Sequence, residues 1–151
     1  MLRLIELSMF KSSGLKKAEF LRKKQIFETM GKNCYYYSII IPSIHKNLKM
    51  GNNVTICTGV KFFDHDIIHR IWNEDDNSSN NIKYYSGKIV IDNNVCIYGN
   101  SIILYNVYIH SNSIIAAGSV LTKDVPEYAI VAGNPARIIG DTRELYKKRK
   151  Y

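Results

Sequence analysis

Four histidines, His45, His65, His69 and His110, are the side chains of this chain best suited to moving a proton near neutral pH. An unperturbed imidazole titrates at about 6.5, so near neutrality it is largely uncharged and able to accept a proton. The work open to it is general-base catalysis, in which it takes the proton of a hydroxyl while that oxygen attacks an electrophile. The three cysteines, Cys34, Cys57 and Cys96, are odd in number, widely spaced and free of any C-x-x-C pair. They read as reduced thiols of a cytoplasmic protein. No glycine-rich loop of the P-loop or dinucleotide-binding kind is present, which removes kinases and dehydrogenases.

Which histidine can act depends on the scaffold that holds it. Apolar residues recur every six positions, at Ile44, Met50, Ile56 and Phe62, then at Tyr85, Ile91, Ile97, Ile103, Ile109, Ile115 and Leu121. Four places after each stands a second, mostly small or branched residue: Leu48, Val54 and Val60, then Ile89, Val95, Ser101, Val107, Ser113, Ser119 and Val125. A period of two would give an ordinary strand and one of 3.6 an amphipathic helix. Six fits neither. It fits short β segments separated by tight corners, each sending one large and one small side chain inward. Such a segment cannot bury its face alone, so the repeats stack into a parallel β-helix.

The length of 151 residues suits one domain, 1–151, with one continuous core. Residues 1–32 form an N-terminal helical cap. Its helix runs from about Ser13 to Met30, with Ser12 or Ser13 at the start and Gly31 closing the end. Residues 33–136 form the repeats, interrupted at 66–84, where a run of Asn, Asp, Glu and Ser marks an excursion from the coil. Residues 137–151 form a basic tail that becomes a short helix from Asp141. The stretch Met1–Phe10 lacks the basic start and cleavage site of a signal peptide, and no apolar run is long enough to span a bilayer. Residues 1–32 carry eight Lys/Arg against three acids and 137–151 six against two, whereas 33–136 are nearly balanced. These basic ends are solvated faces that attract anions, an acidic membrane surface among them. They lack the interleaved aromatics of a nucleic-acid surface, so no nucleic-acid partner is expected.

His65 lies in the repeat begun by Phe62, where the coil gives way to the excursion, so it sits on scaffold while facing the loop. His69 lies within that loop. His45 and His110 each follow a core slot and read as corner residues. Asp66 occupies the second inward slot, where a carboxylate is costly unless hydrogen-bonded. It either ties down the loop or orients His65, as carboxylates do for catalytic imidazoles.

Residues 91–137 carry a more specific signal. The run AAGSVLTKDVP followed by AGNPARII resembles the closing coils of hexapeptide-repeat acetyltransferases, in the galactoside, maltose and polysaccharide O-acetyltransferase branch. The upstream MGNNVTICTGVKFFDHD and the tail IGDTRELYKKRK resemble the small acyltransferases of surface-polysaccharide synthesis. The resemblance covers about residues 44–150 and implies a left-handed β-helix of three hexapeptides per coil, a homotrimer, and acetyl-coenzyme A as donor. It implies His65 as the catalytic base, with Gly99 at the acetyl end of the donor and Ala117, Thr122 and Lys123 along its arm. Arg137 falls at its phosphates, and no metal is implied. Asp92, Tyr98 and His110 stand where many relatives have Gly, Cys96 where many have Trp, and Asn106 replaces a corner Gly.

The reading drawn from these residues is acetyl transfer to a sugar hydroxyl in surface-polysaccharide synthesis, with His65 as base and Asp66 beside it. An amino sugar, or a small acceptor such as serine or an antibiotic, is the alternative. A non-catalytic β-helical scaffold or sugar-binding module would show no coenzyme A affinity. A zinc enzyme would need His65, His69 and His110 to converge, yet His69 lies in the irregular loop.

Overall fold

The computed structural model describes residues 13–74 and 81–150. The first ten residues, read above as no signal peptide, lie outside that range, as does part of the polar run in the excursion. Two-residue and three-residue strands alternate with corners, and successive strands fall on three different parallel sheets. On the first sheet lie β1 (Thr29–Met30), β3 (Leu48–Met50), β6 (Ile89–Ile91) and β9 (Tyr108–Ile109). On the second lie β2 (Tyr35–Tyr36), β4 (Thr55–Ile56), β7 (Cys96–Ile97), β10 (Ile114–Ile115) and β12 (Ala129–Gly133), with β13 (Ala136–Asp141) added antiparallel at the edge. The third holds β5 (Lys61–Phe63), β8 (Ile102–Leu104) and β11 (Val120–Leu121). The chain visits the sheets in rotation, and Ile97 pairs with Ile115, one 18-residue coil later.

The six-residue period is the inside of this coil. Met50, Ile56, Phe62, Ile91, Ile97, Ile103, Ile109, Ile115 and Leu121 are all buried, as are their partners from Leu48 to Val125. Each buried aliphatic side chain stabilises the fold by about 1.5–3 kcal/mol relative to exposure. The serines in the small slot satisfy their hydroxyls on corner carbonyls, with Ser101 donating to Tyr98 and Ala116 at 2.8 and 3.0 Å. The period fails at its two margins: Ile44 is only half-buried and Tyr85 is 47% exposed.

Corners demand left-handed backbone, and asparagine supplies it. Asn53, Asn94, Asn100, Asn106 and Asn112 have φ between 55° and 62°. Asn tolerates that region better than other non-glycine residues. On the corner between the first and second sheets these amides also form a ladder, Asn53 to Asn94 at 2.9 Å and Asn94 to Asn112 at 3.0 Å.

The excursion adds length without disturbing register. Phe62 pairs with Ile103, 41 positions on, where an uninterrupted coil takes 18. At the first end α1 (Gly14–Lys23) buries Ala18 and Leu21 against the coil, and Ser13 caps it by accepting from Lys16 N–H. The helix is shorter than the sequence suggested, because Thr29–Met30 already pairs with β3. Gly31 therefore does not close it. The tail differs as well: residues 136–141 return along β12 before α3 (Thr142–Arg149) starts, capped by Asp141. Among the described residues no helix is long and apolar enough to cross a membrane.

Candidate active site

The strand β5 ends in alternation, with Val60 and Phe62 inward and Lys61 and Phe63 outward. Asp64 is the next inward residue, and only 1% of its surface is exposed. A buried carboxylate must be hydrogen-bonded, and this one is. One oxygen accepts from Nδ1 of His65 at 2.8 Å, and the other accepts from the Ile44 backbone amide. A carboxylate facing Nδ1 favours the neutral tautomer with its hydrogen on Nδ1, in which Nε2 keeps the lone pair. The His65 side chain is 26% exposed. It is thus anchored on its inner edge and open on its outer one.

The excursion returns beside this residue. Asp66 N–H donates to Tyr85 O at 3.1 Å, Gly87 N–H donates to Asp64 O at 2.9 Å, and His65 bridges Ser86. Asn106 donates to the Tyr85 hydroxyl at 2.6 Å and so pins the returning segment to the next coil. Tyr84 places its ring 5.5 Å from His65 and 5.5 Å from His69, which meets it edge-on. Burial and the carboxylates of Asp64 and Asp66 raise its phenol above the ordinary tyrosine value, so the hydroxyl stays protonated near neutrality.

Asp66 does not occupy the inward slot assigned to it. It is half-buried at the corner, where it accepts from Ile68 N–H at 3.2 Å and from the Tyr105 hydroxyl at 3.1 Å. That fixes the start of α2 (Ile68–Asn73) to the next coil. The carboxylate on His65 is Asp64, because the outward–inward alternation of β5 runs one residue past the strand before the coil opens.

The remaining residues divide between two corners. Gly99 and Ala117 share the corner between the second and third sheets, one coil apart, and Gly118 N–H donates to Gly99 O at 2.9 Å. Ala117 and Gly118 are exposed, with open space where a Gly118 side chain would be. Thr122 and Lys123 lie on the next corner, between the third and first sheets, which also carries His65 two coils away. Arg137, on β13, joins Thr122 and Lys123 around a groove of about 410 Å³. The third sheet separates the two corners, by roughly 15 Å at the rise of a strand.

The other histidines go elsewhere. His45 Nδ1 lies 3.0 Å from Pro42 O, and His110 stacks on Tyr108 at 4.2 Å. Burial pushes the Cys96 thiol up to about 11 and raises those of Cys34 and Cys57. None is a thiolate near neutrality, which argues against a cysteine nucleophile. Sequence reasoning passed over Asp64 and Tyr84. The strand alternation from Phe62 could have found Asp64, whereas Tyr84 depends on where the excursion lands.

Comparison with known proteins fits this architecture. Residues 88–123 match the bacterial transferase hexapeptide model, described as six repeats. The chain is 31% identical over 134 residues to "Putative acetyltransferase YvoF" of Bacillus subtilis, covering 87% of this chain and 67% of that protein. A shorter match, 39% over 62 residues, is to the 2,3,4,5-tetrahydropyridine-2,6-dicarboxylate N-acetyltransferase of Staphylococcus aureus. It spans 41% of this chain and 26% of that protein. A galactoside acetyltransferase solved in complex with coenzyme A superposes with a TM-score of 0.67 at 28% identity, over 97% of this chain and 81% of that one. With its coiled repeats and this likeness along most of its length, the chain belongs to the hexapeptide-repeat acetyltransferases.

Proposed function

We propose that this enzyme transfers the acetyl group of acetyl-coenzyme A to a sugar hydroxyl, in the synthesis of a surface polysaccharide, with His65 as general base. The observation that carries the reading is the Asp64–His65 pair, 2.8 Å long and buried on its inner side, at the end of a coil strand. Nε2 of His65 takes the acceptor's hydroxyl proton as the oxygen attacks the thioester carbonyl. The tetrahedral oxyanion then collapses, the C–S bond breaks, and the imidazolium returns its proton to the departing thiolate. Asp64 holds the ring in the right tautomer and offsets the positive charge that forms on it.

The donor fits the two corners. The small residues Gly99, Ala117 and Gly118, the last two exposed, leave room for an extended arm, while Lys123 and Arg137 offer charge to its phosphates. These corners lie on opposite sides of the third sheet, so no single coil brings Ala117 to His65. A left-handed coil packed as a homotrimer resolves this, with one copy's His65 corner facing the next copy's Ala117 corner. The unpaired cysteines are in keeping with a cytoplasmic reaction.

The test is coenzyme A release in the presence of sugars, nucleotide sugars and extracted glycans, for the wild type and for His65→Ala. The variant is expected to lose about 10²–10⁴-fold in turnover while its acetyl-coenzyme A affinity and assembly stay unchanged. Near-normal turnover in His65→Ala would remove the base from this account.

A further inference from the structure

One aromatic ring at the base has no part in the reaction just described. Tyr84 stands 5.5 Å from the His65 ring, tilted 31° to it, and is braced edge-on by His69, yet 48% of its surface is exposed. Its neighbours in sequence are not loose. The backbone bonds from Asp66 to Tyr85 and from Gly87 to Asp64, with the Asn106 bond to the Tyr85 hydroxyl, hold this segment at a fixed height beside the base. Along the chain on either side of His65, three apolar side chains are exposed as well: Phe63 at 47%, Ile67 at 59% and Ile68 at 40%.

A pyranose offers two kinds of surface, a rim of hydroxyls and a face of C–H bonds. The face packs on a flat aromatic ring, whereas a short linear acceptor such as an amino acid has no comparable face. We propose that Tyr84 is the platform on which the sugar acceptor lies, its C–H face against the phenol ring and its reacting hydroxyl turned toward His65. The inference rests on the acetyl-transfer reading and adds to it a residue that selects ring-shaped acceptors over linear ones.

The experiment measures kcat and KM for the methyl glycosides of glucose, galactose and N-acetylglucosamine, with L-serine as the linear comparison. The proteins are the wild type, Tyr84→Phe, Tyr84→Leu and Tyr84→Ala. The aromatic contact is of a size that changes affinity by up to about tenfold. Acceptor KM for a glycoside is therefore expected to rise by about that factor in Tyr84→Ala and Tyr84→Leu and to hold in Tyr84→Phe. The acetyl-coenzyme A KM should not move, and kcat should stay within about threefold. Leucine keeps bulk beside the two histidines, so its failure would mark loss of the flat face rather than loss of packing. An unchanged glycoside KM across the series overturns the proposal alone. So does a fall in kcat at constant KM, which would make Tyr84 a support for His65. If no glycoside promotes coenzyme A release, the sugar reading fails and takes the platform with it.

Discussion

A base is only as good as the group that holds it. His65 meets a carboxylate that is 1% exposed and already committed on its other oxygen to the Ile44 amide. Asp64 thus links the site to the chain entering the coil, and its geometry cannot drift without breaking two bonds. Replacing it by asparagine keeps the shape but allows the side-chain amide to donate to Nδ1, which would move the hydrogen to Nε2 and remove the lone pair that the proposed base step requires. Asp64→Asn is expected to lose about 10²–10⁴-fold in kcat, with little change in acetyl-coenzyme A affinity. A merely structural role would not alter the tautomer. The second readout is therefore the Nδ1–H proton resonance of His65 in histidine-labelled protein, present in the wild type and absent in the variant. A variant with normal kcat would show that the pair is only a fold contact. His65 was singled out because the FFDHD run falls where the repeat stops and resembles the segment that carries the family's histidine. Its partner was not, since extending the six-residue count put Asp66 inward while local alternation along β5 decides the matter in favour of Asp64.

At the scale of the element, the coil is set by what fits inside and by what turns at the corners. The inside was readable almost residue by residue, because burial within a stacked coil repeats with the chain's own period. The margins were not. Thr29 and Met30 are drawn into the first sheet by pairing with Lys49 and Met50, a long-range contact that overrides the local helical spacing of α1. Gly31, expected to end that helix, serves the coil instead. A Cβ there would lie 2.5 Å from the backbone of Gly51, which cannot move aside as a side-chain tip can. Gly118 is the opposite case, with φ of +70° and nothing near a built Cβ. Gly118→Ala should cost about 1–2 kcal/mol from backbone strain alone. Gly31→Ala, despite its ordinary φ, forces two coils apart and should cost more, about 3 kcal/mol or above. Thermal unfolding of the two variants decides the order. Equal midpoints, or a lower one for Gly118→Ala, would mean that close coil contact does not explain Gly31.

At the scale of the whole molecule, the two corners pose a question of connectivity. His65, Thr122, Lys123 and Arg137 gather on one side of the third sheet, and Gly99 and Ala117 on the other. The sequence named all of these residues but held no sign of the split, because a six-residue count shows how far along the coil a residue lies and not which corners face each other between copies. If the donor bridges neighbouring subunits, a site needs the base corner of one copy and the small-residue corner of another. His65→Ala removes the first. Ala117→Trp, at an exposed position, fills the second while leaving the buried core untouched. Each variant alone should form inactive trimers. When the two are denatured together in equal amounts and refolded as mixed trimers, roughly a quarter of the interfaces pair an intact base corner with an intact donor corner. Activity should therefore return to roughly a quarter of the wild-type value, although no subunit in the mixture is itself competent. Mixing the folded trimers without denaturation is the control and should restore nothing. If refolded mixtures stay inactive while forming trimers by light scattering, each site lies within one chain, and the donor must then cross the third sheet of a single coil.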